Sequence, residues 1–173
     1  MPKLGFQIDT CKNIVVFWKD PNTTTKRITD DAMLAGFRNF KIAESPTVWA
    51  LRNNYFTILA HGEPEHLVGL NDQESLGWTH NFIHAYGKGR PVCLLSCLTG
   101  QALAQKVAFM NKVTVVASLG FSTIDEKGSV YCGVPYVDGQ WHGDKPEPLD
   151  WIKVQPDGQS VRAGKAELEP GFL

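Results

Sequence analysis

Four short apolar runs recur along the chain: Ile14-Val15-Val16-Phe17-Trp18, Tyr55-Phe56-Thr57-Ile58-Leu59-Ala60, Pro91-Val92-Cys93-Leu94-Leu95-Ser96 and Val113-Thr114-Val115-Val116-Ala117-Ser118. Each is continuous rather than alternating, and most are bounded by Gly, Pro, Asn or Lys, which is the pattern of strands covered on both faces. The stretches between them carry helical signals. Asp30-Asp31 caps a segment with apolar residues at Met33, Leu34, Phe37 and Phe40. Residues 79–86 place Phe82, Ile83 and Tyr86 at helical spacing before a Gly87-Lys88-Gly89 stop, and residues 102–110 read as a further helix. Strand and helix in alternation predict an α/β fold with parallel strands and right-handed crossovers.

From Ser129 the texture changes. Short runs (Val130-Tyr131-Cys132, Gln140-Trp141-His142, Trp151-Ile152-Lys153-Val154) are separated by Asp138-Gly139 and Pro156-Asp157-Gly158. These are hairpin signals, and they predict a β-hairpin extension over about 129–165, appended to a core over about 12–120. With 173 residues, 43% hydrophobic and 20% charged, the chain has the material of one packed domain spanning 1–173.

Seventeen Lys plus Arg against eighteen Asp plus Glu leave a formal charge of -1, so no overall field draws the chain to nucleic acid or to a membrane surface, and neither is expected as a partner. The Lys26-Arg27 pair is too short for a nucleic-acid arm. Nowhere do about 18 apolar residues run together, and the first nine residues lack a basic segment followed by a sustained apolar one. The expected location is cytoplasmic, or secreted without a cleaved signal peptide. The four cysteines (Cys11, Cys93, Cys97, Cys132) are then expected as free thiols.

In open α/β sheets, reactive groups gather beyond the carboxyl ends of parallel strands. His61 and Cys97 both fall at such ends, on strands expected side by side. A nucleophilic cysteine needs an imidazole or a helix N-terminus to hold it as thiolate, and Cys97 is offered both: His61, and a helix beginning near Gly100. Gly62 lacks a Cβ, so its NH can approach an oxyanion and form an oxyanion hole with the Cys97 NH. Ser118, at the neighbouring strand end, is the candidate for lining a substrate pocket.

The segment from Tyr55 to His61-Gly62, followed by Pro91-Val92-Cys93-Leu94-Leu95-Ser96-Cys97-Leu98-Thr99-Gly100, resembles the caspase-like fold of clan CD cysteine peptidases. Among these it is most similar to CHAT proteases and the cysteine protease domains of MARTX-type toxins. The resemblance covers roughly residues 12–120. It implies a three-layer sandwich with a mainly parallel central sheet and a Cys-His dyad that acts on a peptide or protein substrate. In that dyad Cys97 is nucleophile, His61 is acid/base, and the Gly62 NH lies in the oxyanion hole. It also implies a bacterial toxin or effector, or its self-processing domain, with a cognate inhibitor or immunity protein as partner. MARTX-type domains bind inositol hexakisphosphate through a dense basic surface; this near-neutral chain has no such cluster, so neither that activator nor another cofactor is expected.

Other readings compete at the same residues. Cys93 lies four residues before Cys97 and reads as core; Cys11 and Cys132 carry no context beyond packing. His61-Gly62-Glu63 followed by Pro91-x-Cys93-x-x-x-Cys97 partly matches the zinc deaminase pattern, but the spacing is off by one residue at two places and Cys93 sits within a strand. His80 and His84 have the i, i+4 spacing that suits zinc, yet no third ligand is evident, so they read as surface or satisfied core histidines. His66 and His142 fall in loops. A third reading keeps the caspase-like fold as a catalytically inactive binding module.

Overall fold

The computed structural model describes residues 4–19, 45–124, 128–133, 136–137, 140–141, 149–164 and 167–173. The helix expected over 30–40, the Asp138-Gly139 turn and His142 lie outside the described residues. A hairpin of β1 (Leu4–Ile8) and β2 (Ile14–Lys19) comes first, then α1 (Pro46–Asn54), β3 (Phe56–Leu59) and α2 (Asp72–Phe82), which runs on into a π-helical turn (Ile83–Gly87). β4 (Val92–Leu95), α3 (Leu103–Asn111) and β5 (Val115–Ser118) follow. The further elements among the described residues are strands: β6 (Phe121–Ile124), β7 (Val130–Gly133), β8 (Tyr136–Val137), β9 (Gln140–Trp141), β10 (Trp151–Val154) and β11 (Ser160–Ala163).

The four apolar runs form β2, β3, β4 and β5, neighbours in that order and all parallel. Both faces of these strands are covered, which is why the runs are continuous. Phe56, Ile58, Val92 and Leu94 pack toward α2 and α3 with Phe82, Leu103 and Val107. Leu59, Cys93 and Leu95 pack the other way, with Val48 and Leu51 of α1 and with Val130 and Cys132 of β7. Phe17 anchors α2 through ring contacts at 5.2 Å to both Trp78 and Phe82. The fold is therefore mixed α/β around a partly parallel sheet.

Two expectations need correction. Among the described residues the sheet has seven strands in the order β1-β2-β3-β4-β5-β10-β11, parallel in its centre and antiparallel toward both edges, so "mainly parallel" overstates it. The hairpin over 151–163 is no appendage either: β10 pairs antiparallel with β5, Trp151 opposite Ser118 and Val154 opposite Val115. Trp151, Ile152 and Val154 are all buried, and a strand apolar on both faces needs cover on both, which the main sheet supplies. The Pro156-Asp157-Gly158 turn closes this hairpin as expected, with Gly158 at φ 92°. The β6–β7 and β8–β9 hairpins stay outside the main sheet.

Helix α2 begins seven residues earlier than periodicity alone suggests. Asn71 caps it, its Oδ1 accepting from the Glu74 NH at 2.8 Å while Glu74 Oε1 accepts from the Asn71 NH at 3.3 Å, a reciprocal capping box. The stop falls where expected, with Lys88 and Gly89 both left-handed. Among the described residues, no helix is long and apolar enough to cross a membrane.

Burial pushes the Cys93 thiol up from 9.0 to about 12 and the Cys132 thiol up to about 11. Burial, and then the neighbouring Cys93, push the Tyr55 hydroxyl up to about 12. The native protein keeps these protons to higher pH than the unfolded chain does, so their stabilising effect is complete below about pH 9 and is lost as pH rises toward 12. The urea midpoint should stay flat from pH 7 to 8 and fall steadily above pH 9, with a shallower fall in Cys93→Ala; an identical slope in that variant would remove Cys93 as a contributor.

Candidate active site

The geometry starts from strand register. β3 and β4 run parallel with Leu59 opposite Leu95, so the segments carrying His61 and Cys97 leave the sheet at the same level and on the same side. Gly62 then lies directly against the turn that carries Cys97. A Cβ at Gly62 would stand 2.5 Å from the Cys97 carbonyl oxygen and 2.8 Å from both Ser96 Cβ and Thr99 Cγ2. No L side chain fits there, and the close approach explains the glycine after His61.

Cys97 sits on a turn tied down from three sides. Thr99 Oγ1 donates to Ser96 O at 2.9 Å, and the Leu98 and Gly100 NH groups donate to Gly120 O and Ser118 O, each at 2.8 Å. Leu98 is held left-handed at φ 64°, a conformation costly for a residue with a Cβ. Cys97 itself is half-buried. Its Sγ accepts from the Ser122 NH at 3.5 Å and donates to Ser122 O at 3.8 Å, which fixes the sulfur against β6. Among the described residues, the NH groups of Gly62 and Cys97 are engaged in none of the turn hydrogen bonds.

Two sequence expectations fail here. Ser118 turns inward: it is fully buried, and its hydroxyl donates to Ser96 O at 3.1 Å and Gly120 O at 3.0 Å, linking β5 to the Cys97 turn. The helix read over 102–110 is α3 at Leu103–Asn111, so it starts three residues beyond the Gly100 named as its beginning near Cys97, and its Leu103 NH donates to Pro64 O at 2.9 Å. The positive end of α3 therefore faces the loop after Gly62, and the support expected from it for Cys97 is reduced accordingly. Cys93 is a fully buried core residue, as its place within β4 suggests.

That loop is itself well held. The Glu63 NH donates to His66 O and the Val68 NH to His61 O, both at 2.9 Å, and the Leu67 NH donates to Ser75 Oγ at 3.0 Å. Val68 is left-handed at φ 49° although β-branched, a rare state for such a residue. Between this loop and the start of α3 opens a groove of about 470 Å³ lined by Glu63, Pro64, Glu65, His66, Gln101 and Ala102.

Loop histidine His66, with no role readable from its neighbours in sequence, bridges Glu63 Oε2 at 3.2 Å and Asp72 Oδ1. Hydrogen bonds that the His66 ring makes to Glu63 and then to Asp72 raise the His66 pKa; the bond from His66, aided by Lys106, lowers that of Asp72. Glu65, His66 and Asp72 each bring a ligating atom within 4.8 Å of the others, a spacing that a divalent cation could bridge. Lys106 already offsets part of that charge, at 3.5 Å from Glu65 and 3.7 Å from Asp72. His61, Cys93 and Cys97 form no such ligand group among the described residues.

The family model described as Domain of unknown function (DUF8616) matches residues 37–132. No curated protein matches the chain.

Gly62→Ala forces a methyl against a backbone oxygen, so it should lower stability by about 2 kcal/mol, read from urea unfolding. Gly77→Ala is the control, since nothing lies within 4 Å of its added Cβ. Equal losses in the two variants would mean that the β3 and β4 turns do not meet as closely as described.

Proposed function

The chain belongs to the DUF8616 family, and because the stretch shared with that family contains His61, Gly62 and Cys97, we propose that it is a cysteine peptidase of the caspase-like kind, acting through a Cys97-His61 dyad. The observation that carries this reading is the meeting of two turns at the ends of adjacent parallel strands, with Gly62 pressed onto the Cys97 carbonyl. Cover on both faces of the sheet supports the caspase-like assignment.

In the proposed reaction the Cys97 thiolate attacks a peptide carbonyl carbon. The carbonyl oxygen takes up the charge and accepts hydrogen bonds from the Gly62 and Cys97 NH groups. His61, having taken the thiol proton, returns it to the leaving amine as the C–N bond breaks and a thioester remains. Water, deprotonated by His61, then hydrolyses the thioester and restores the free thiol. The strained Leu98 supports the same reading, since unusual backbone conformations persist where the surrounding structure insists on them, and they cluster at reactive sites.

The test is iodoacetamide labelling located by peptide mass spectrometry. Near pH 6.5, Cys97 in the wild type should react roughly tenfold or more faster than in His61→Ala, while buried Cys93 stays unlabelled until the protein unfolds. A proteome-derived peptide library should gain new termini with the wild type and none with Cys97→Ala. Slow labelling unchanged by His61→Ala, together with no new termini, would replace the peptidase with a binding module.

A further inference from the structure

Helix α2 and the π-helical turn that continues it carry two histidines that the proposed reaction does not use. His80 and His84 are four residues apart, which puts them on one side of the helix, and their rings lie 5.9 Å apart and nearly parallel at 18°. His84 is exposed and His80 half-buried.

The neighbouring helix settles which nitrogen of His80 is available. Asn111, at the end of α3, donates from Nδ2 to Val107 O at 3.0 Å, and this fixes which way its amide points. Its Oδ1 then faces His80 Nδ1 at 2.8 Å. An amide oxygen has no hydrogen to give, so Nδ1 must be the donor. In the neutral ring that leaves the lone pair on Nε2. A ring whose Nδ1–H is spent on a fixed oxygen, leaving the Nε2 lone pair to donate to an ion, is the state in which histidine ligates metals, and partners of the Asn111 kind orient such rings. Helical histidines at i, i+4 close on a single ion in the same way.

The geometry points to a two-imidazole site for a divalent transition-metal ion at His80 and His84, oriented by Asn111. Imidazole ligands suit zinc, nickel and copper, and give no foothold to magnesium or calcium, which take oxygen. Among the described residues, no third His, Cys, Asp or Glu completes a group with this pair, so water fills the remaining positions and the ion exchanges readily. The π-helical turn places Ile83–Gly87 on wider spacing than an α-helix gives, and π-turns of this sort recur at functional sites. The site stands independently of the peptidase reading, since none of its residues belongs to the Cys97 or His61 turns.

Ni(II) alone is the probe, followed by titration calorimetry and by paramagnetic broadening of the histidine ring resonances. In the wild type, the His80 and His84 signals should broaden first. The tight phase should vanish in His84→Ala, a surface change that leaves the helix intact. Asn111→Ala should weaken binding about 10-fold or more and Asn111→Asp should restore it, because a carboxylate also accepts from Nδ1. If His84→Ala binds Ni(II) as the wild type does, or if His66 broadens before His80 and His84, the ion belongs to the Glu65-His66-Asp72 group and the inference fails.

Discussion

Where β3 gives way to its loop, the Gly62 backbone rests against the Cys97 carbonyl at a distance that admits no side chain. Everything at the candidate site follows from that contact. It requires β3 and β4 to end at the same level and to point the same way, since antiparallel neighbours would send the two turns to opposite poles. Parallel neighbours need a crossover, and α2 supplies it while burying Phe82 on the sheet. The loop after Gly62 is then pinned to both flanking helices, to α2 through Ser75 and to α3 through Pro64. Packing, capping and the proposed chemistry are thus separate readings of one alignment.

Two residues in the left-handed region flank this contact. Leu98 follows Cys97, and the Val68 NH closes on the His61 carbonyl. Each costs on the order of 1–2 kcal/mol relative to an ordinary conformation, and each is held by hydrogen bonds from the ends of neighbouring strands or loops. The cost falls on the residues that orient the pair, while the strands behind them are regular and fully buried.

Much of this was legible in the residues. His61 and Cys97 stood out because each ends a continuous apolar run, and such runs mark strands covered on both faces. Ser118 ends a run too, but a strand end does not say which way its last side chain turns, and this one turns inward to two carbonyls. The helix read over 102–110 is α3, and residues 97–102 form their own hydrogen-bonded turn before it, which holds its positive end away from Cys97. The start of α2 was carried by Asn71 and Glu74, a capping signal where apolar periodicity was silent. His66 had no local pattern at all; its partners Glu63 and Asp72 belong to a loop and to a helix start that only the folded chain brings together.

The place of β10 in the sheet bears on how the chain is made. β5 is apolar on both faces, and its outer edge finds a partner only in residues 151–154. Residues 119–150 must be synthesised in between, which at ~5–20 residues per second takes on the order of 2–6 s. During that interval the parallel core presents an unpaired strand edge of the kind that recruits other chains. The late strand thus acts as a seal, and a chain interrupted before Trp151 would leave the β5 edge uncovered.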